Sequence, residues 1–332
     1  MSQEQSSSRQ PGEPLGVDEA RALRRLCRAF VSLVVATWLL IVLGALVRAN
    51  GAGLACPDWP LCFGVLVPEF DLNVAFEWGH RLLASCVSIG FGVLCILSLR
   101  RPTARRAVAP LLAVGGVLLA TQVVLGGLTV LKLLAAWTVT SHLVTGSSFA
   151  ACLAFIAYRL HEVSEPARAK APLPRGTRAL LVAGAVLLLL QLVLGGLVSS
   201  TYAGLVCDEW PTCHRGEWFP SFAGVMGTHL LHRINGYALV AVLALCAFVT
   251  RAAAPRVARL TMTLLALVVV QLGVGVANVL LRIPAELTGL HTGLGAALLL
   301  TMTLALYECW LSPVAVDKVC SEVQPGLRAP LL

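Results

Sequence analysis

Charge is what this sequence has least of. Of 332 residues only 13% are Asp, Glu, Lys or Arg, while 58% are hydrophobic and the mean hydropathy is +0.83. A soluble domain carries roughly 25% charge, so the deficit excludes a soluble globular chain and points to an integral membrane protein. The formal net charge of +8 does not imply nucleic acid. The basic residues fall in short clusters between apolar runs, which is how membrane topology is written. Residues 1–20 also lack an apolar core; they are rich in Ser, Gln and Gly and include acidic residues. They read as a disordered tail rather than a signal or transit peptide, leaving the first membrane helix as the insertion signal.

Eight apolar runs are long enough to cross roughly 30 Å of hydrocarbon. They fall near residues 28–49, 74–99, 107–131, 136–159, 178–200, 223–250, 257–281 and 286–311. Basic clusters at Arg21/Arg24/Arg25/Arg28, Arg100/Arg101/Arg105/Arg106, Arg159 through Arg178, and Arg251/Arg256/Arg259 alternate with loops that hold only Arg48, Lys132, Arg215 and Arg282. By the positive-inside rule both termini are cytoplasmic and the sparse loops face out. The expected organisation is a cytoplasmic tail over 1–27, a four-helix half over 28–159, a linker over 160–177, a second four-helix half over 178–311 and a tail over 312–332.

The halves are repeats. Val42-Leu43-Gly44-Ala45-Leu46-Val47 matches Val193-Leu194-Gly195-Gly196-Leu197-Val198, and the segment from Ala52 to Cys62 matches that from Ala203 to Cys213, with Trp59-Pro60 answering Trp210-Pro211. Gln122 precedes His142 by twenty residues, as Gln271 precedes His291. With four spans per half, both halves enter the membrane in one orientation. The predicted fold is all-α: two parallel four-helix bundles related by a pseudo-twofold along the membrane normal.

Ionisable groups inside membrane spans are costly and mark candidate sites. Glu77-Trp78-Gly79-His80-Arg81 opens the second run and His229-Leu230-Leu231-His232-Arg233 the sixth, each with two such groups at i and i+3 on one helical face. His142 and His291 open the fourth and eighth runs, so the sequence places four repeat-related imidazoles in first turns at one outer depth. Two histidines on two helices of one bundle suit hexacoordinate haem iron. Gly79, Gly146, Gly236, Gly293 and Gly295 are either room for the macrocycle or simple helix contacts. Arg81 and Arg233 are either propionate partners or interfacial anchors. His161 and His214 have no counterparts and read as solvated loop residues. Zinc at His229-x-x-His232 is disfavoured, since a zincin needs His-Glu-x-x-His. The halves differ chemically at one place: Glu77 stands where the second half has His229.

Of eleven cysteines, Cys56/Cys62 and Cys207/Cys213 flank the Trp-Pro turns of the two long outer loops. On the outer side a disulfide is permitted, and closing so short a loop contributes about 2 kcal/mol. Each pair is a structural lid or a redox-active pair. Cys86, Cys95, Cys152, Cys246 and Cys309 lie inside spans and read as small apolar residues.

Residues 28–311 resemble the haem A synthase family. The resemblance rests on Gly51 through Cys62, Glu77-x-x-His80-Arg81, His142 and the second-half echo ending at His232 and His291. It implies oxidation of the C8 methyl of haem O to a formyl, with water-derived oxygen, to give haem A for terminal oxidases. It also implies that His80 and His142, with Arg81, face substrate haem O, and that Glu77 is the essential carboxylate. His232 and His291 would ligate a resident haem b, with His229 and Arg233 beside it. Cys56–Cys62 and Cys207–Cys213 resemble the disulfides of bacterial members, which implies the bacterial inner membrane. Implied partners are haem O synthase, terminal oxidase assembly factors, an unidentified electron acceptor and a second copy of the chain. The competing readings are a di-haem b-type electron carrier, which needs haems at two depths, and a haem chaperone without chemistry, which leaves Glu77 unexplained.

Overall fold

The computed structural model describes residues 15–69, 71–165, 173–253 and 255–310. These residues form eight α-helices: α1 Val17–Ala49, α2 Leu72–Leu99, α3 Pro102–Leu131, α4 Ala136–Ser164, α5 Arg175–Ser200, α6 Gly224–Thr250, α7 Pro255–Leu280 and α8 Ala285–Trp310. A short 3-10 turn spans Ala203–Leu205. The described residues contain no strand beyond the isolated bridges Cys62 with Val65 and His214 with Glu217. All eight helices are long and apolar enough to cross a membrane, and the chain is a multi-pass membrane protein. Large apolar side chains such as Val35, Ile89, Val117 and Val186 are exposed on the outside of the array. In water such surfaces would be a liability; in lipid they are the solvent-compatible face.

Local chemistry sets the helix ends. The Asp71 side chain accepts the Val74 N–H at 2.8 Å, an N-cap that starts α2 at Leu72. Pro102 opens α3, a position that needs no N–H donor. The largest departure from the expected spans is at α1. The predicted tail over 1–27 is already helical from Val17, because Leu23, Leu26 and Phe30 recur at helical spacing and are buried. Asp18 and Glu19 sit in its first turn, where they complement the helix dipole. The expected linker likewise shortens, since α4 continues to Ser164 and α5 begins at Arg175. Residues 1–14, 166–172 and 311–332 lie outside the described set.

In the first half α1 packs on α2 and α4, and α3 on α4; in the second, α5 packs on α6, α7 on α8, and α6 on α7. Leu33, Phe91, Phe149, Leu153 and Ile156 centre one core, and Leu239, Leu243, Leu264, Leu298 and Met302 the other. Between halves, α1 meets α8 and α5 meets α4, with α4 against α8 at the centre. That pairing is compatible with a pseudo-twofold. Small residues let these helices approach: a Cβ on Gly293 would lie 3.0 Å from Val42, and one on Gly196 2.9 Å from Thr140. Trp38 Nε1 donates to Gly293 O at 2.8 Å. At the end of the helices away from the disulfide loops, Tyr307 hydrogen-bonds Glu162, and Arg256 reaches both Tyr158 and Glu308 at 3.3 Å.

Candidate haem sites

The four repeat-related histidines sit deeper than first turns. His80 and His232 are the ninth residues of α2 and α6, and His142 and His291 the seventh of α4 and α8. At 1.5 Å per residue they lie about 9–12 Å along their helices. These helices begin within two residues of the runs read from sequence, so the depth follows from the histidines' own places, seventh or ninth along their helices and about two turns in.

Each ring lies against a glycine of the preceding helix. A Cβ on Gly44 would stand 3.0 Å from His80, on Gly126 3.4 Å from His142, on Gly195 3.1 Å from His232 and on Gly275 3.1 Å from His291. All four glycines stand five residues before the end of their helix. At three of them a side chain would press on the imidazole, so glycine there sets the ring's place. The residues Gly79, Gly146, Gly236, Gly293 and Gly295, singled out from sequence, do not do this. A Cβ on Gly79 meets nothing within 4 Å, and Gly293 serves the interface between halves.

The Nδ1 atoms of His80, His142, His232 and His291 are buried without a hydrogen-bond partner. A buried polar atom left unpaired costs about 1–3 kcal/mol, and here the cost recurs four times at equivalent places. The His232 and His291 ring centroids are 6.5 Å apart, inclined at 62°. Imidazole nitrogen binds a first-row metal at about 2 Å, which places two rings facing one ion roughly 6 Å apart. This donor set fits a bis-imidazole haem iron. His80 and His142 hold the equivalent places in the first half, against Gly44 and Gly126. Among the described residues no group of three or more His, Cys, Asp or Glu could hold a metal ion by itself.

The arginines do other work than the sequence suggested. Arg81 donates to the backbone carbonyls of Asp58 (2.8 Å), Leu61 (2.5 Å) and Cys56 (3.3 Å), and to Glu77 Oε1 at 2.5 Å. Glu77 Oε2 accepts the Cys56 N–H at 2.8 Å. Arg233 repeats the pattern on Thr212 (2.9 Å), Cys207 (2.7 Å) and Glu209 (3.0 Å), with His229 Nε2 at 3.3 Å. His229 in turn bonds Ala203 O at 2.9 Å. Each arginine is the clasp between a histidine-bearing helix and an outer loop, so the terminal N–H groups of Arg81 are engaged there rather than free for a propionate. The Glu77–Arg81 side chains are 6% and 16% exposed, which makes this a buried pair.

The loops are closed by Cys56–Cys62 and Cys207–Cys213 disulfides. Trp59 packs on Gly127, where a Cβ would lie 3.2 Å from its ring, next to the glycine under His142. Asp58 accepts the Phe63 and Gly64 N–H groups at 2.7 and 2.8 Å; chiefly the Gly64 bond holds its carboxyl below the usual range. The α3–α4 and α7–α8 turns place Leu133, Leu134, Arg282 and Ile283 at positive φ. That is a strained choice for a β-branched residue such as Ile283. Leu134 then reaches Gly53 and Ile283 reaches Gly204, tying each turn to the neighbouring loop. His161 lies in the last turn of α4, not in a loop. His214 is in a loop but paired with Asp208 at 2.9 Å.

Two buried imidazoles on two helices of each half, capped by a disulfide loop, define a class: a multi-pass membrane protein built to hold haem. The family model described as cytochrome oxidase assembly protein, COX15-CtaA, matches residues 28–75 and 69–304, and the chain belongs to that family. It is 30% identical over 331 residues to a heme A synthase of Shewanella oneidensis, covering 86% of this chain and 97% of that protein. It is 27% identical to one of Rhizobium etli, covering 82% and 85%. A third, from Sinorhizobium medicae, is 26% identical over 89% and 92%.

Proposed function

We propose that this protein is a haem A synthase, a membrane oxidoreductase that converts the C8 methyl of haem O to a formyl and so gives haem A for terminal oxidases. Family membership and the names of its relatives support the reaction. The observation that carries it to this chain is the duplicated pair of buried imidazoles whose Nδ1 atoms have no hydrogen-bond partner, of which only the first has a carboxylate at i−3. With water as the oxygen source, the methyl and one water yield the formyl, four protons and four electrons; the electrons leave to an acceptor. A carboxylate in a water-poor site can position that water and stabilise developing positive charge.

His80 and His142 hold the substrate haem, and Glu77 serves the chemistry beside them. His232 and His291 hold a haem b, whose chemistry when bound is one-electron transfer. Arg81 and Arg233 keep the loops seated over the two sites. The protein sits in the bacterial inner membrane with both termini cytoplasmic, and haem O synthase and oxidase assembly factors are its partners in supply and delivery. All four histidines lie at the loop side of the helices, which does not suit a carrier moving electrons across the bilayer. The deciding experiment is mass identification of porphyrins bound to purified protein. Haem O or its hydroxylated forms alongside haem b is expected; haem b alone at both sites would return the electron-carrier reading.

A further inference from the structure

Three of the four histidines are pinned by a glutamine from the preceding helix. Gln122 Nε2 donates to the backbone carbonyl of His142 at 2.7 Å, Gln191 to that of His232 at 3.1 Å and Gln271 to that of His291 at 3.0 Å. Each glutamine stands four residues before the glycine lying against the ring, at Gly126, Gly195 or Gly275. Each is also admitted by a glycine four residues after the histidine. A Cβ on Gly146 would lie 3.3 Å from Gln122, on Gly236 3.2 Å from Gln191 and on Gly295 3.6 Å from Gln271. At His80 both parts are missing: the glutamine position is Leu40 and the glycine position Ala84.

The second half adds a further tie. Gln191 Nε2 lies 3.4 Å from His232 Nε2. Its oxygen accepts from Asn235 Nδ2 at 2.6 Å, and Asn235 also donates to Leu187 O at 3.0 Å. Asn235 stands three residues after His232; three residues after His80 the chain has Leu83. The floor beneath one histidine is thus an amide relay, and beneath its repeat mate two leucines. The side-chain amides are what distinguish the other three histidines from His80.

A side chain that bridges two membrane helices restrains the backbone of the ligand it touches, and orienting partners of a ligating histidine govern how firmly the ligand is held. We propose that Leu40 and Ala84 leave His80 as the releasable histidine, so that the first-half haem exchanges, while Gln191 and Asn235 are positioning residues that keep the second-half haem resident. This rests on reading the first half as the substrate site. The asymmetry suits an enzyme that must admit haem O, release haem A and retain a second haem throughout.

The test uses full-length protein in lipid nanodiscs, with apomyoglobin as haem acceptor and mass identification of the haem leaving each half. Leu40→Gln with Ala84→Gly installs the missing pin, and first-half haem should leave about five-fold more slowly. Gln191→Leu with Gly236→Ala removes a pin, and second-half haem should leave about five-fold faster. In each variant the haem of the untouched half keeps its wild-type rate, which a general loss of stability would not allow. Wild-type exchange in both variants overturns the proposal. If the first variant does not fold, the second decides alone. Shifted rates with haem b leaving the first half would support the pins and refute the assignment of the halves; unshifted rates with haem O there would refute the pins only.

Discussion

Replacing Glu77 by Gln tests the carboxylate most directly, and the structure shows what else that change touches. Gln can still accept the Cys56 N–H, the bond now made by Glu77 Oε2 at 2.8 Å. With its oxygen there, its NH2 faces Arg81 and cannot accept, so a charge-assisted bond of about 1.5–3 kcal/mol is lost. Arg81 keeps its three loop carbonyls, so the clasp should loosen rather than open. Removing one member of a buried pair costs about 3–5 kcal/mol when the remaining charge has no other partner, and those carbonyls place the loss at the lower end. Removing one preorganised electrostatic group at a reacting centre costs about 10²–10³ in rate. The expected result is a fall in single-turnover conversion of haem O of that order, with both haems still bound and the Cys56–Cys62 loop still closed. Arg81→Lys is the control: it keeps the charge of the pair but loses the fork that grips the loop, and should reduce turnover by about ten-fold or less. Wild-type turnover in Glu77→Gln, or equal losses in the two variants, would show that the carboxylate acts only through the loop.

Removing His232 or His291 should abolish the haem b spectrum of purified protein, while removing His80 or His142 should release haem O and spare that spectrum. Gly195→Ala, whose Cβ would stand 3.1 Å from His232, should lower haem b occupancy, whereas Gly79→Ala, with open space around it, should leave it unchanged; pyridine haemochrome assays read both. Peptide mapping without reductant should recover Cys56 linked to Cys62 and Cys207 linked to Cys213, and replacing one pair by serine should lower haem retention more than the yield of folded protein. The loop carboxyls Asp58, Asp208 and Glu209 are held below their usual values, chiefly by the Gly64 N–H, the His214 side chain and the Gly216 N–H respectively. Their contribution to loop order is therefore present above the unfolded carboxylate values and lost as pH falls through the lowered ones. Reduction of the disulfides by a fixed dose of phosphine should be flat between about pH 5 and 8 and accelerate below about pH 4.

The helices and the pairing of histidines were legible because both are written as repetition: apolar runs of membrane length, and His80/His232 and His142/His291 in register. What the sequence hid depends on contacts between distant segments. Nothing local marks Leu23 and Leu26 as buried before the membrane span begins. Arg81 looked like a propionate partner because it follows a histidine; its true acceptors are carbonyls 20 to 25 residues away. The glycines under the rings carried a signal that was visible but unread. Leu-Gly at 43–44, 125–126 and 194–195 recurs before three of the four histidine helices, and only the folded hairpin shows that each meets an imidazole.

The two clasps also bear on why the carboxylate is there. Arg81 and Arg233 grip corresponding carbonyls of the two loops: those of Cys56, Asp58 and Leu61 in one half and of Cys207, Glu209 and Thr212 in the other. In the first half Glu77 links the arginine to the loop through the Cys56 N–H; in the second His229 links it through Ala203 O. The same loop is therefore seated by an acid in one case and by an imidazole in the other. A neutral or basic side chain at this position suffices for the fold, so folding alone does not require a buried anion. Desolvating a carboxylate is costly, and the second half shows an arrangement that avoids that cost. On the proposal that the first half takes the substrate haem, what would favour the acid there is a charge requirement of that site itself, one turn above His80, where positive charge would be stabilised or a water held while a methyl is oxidised.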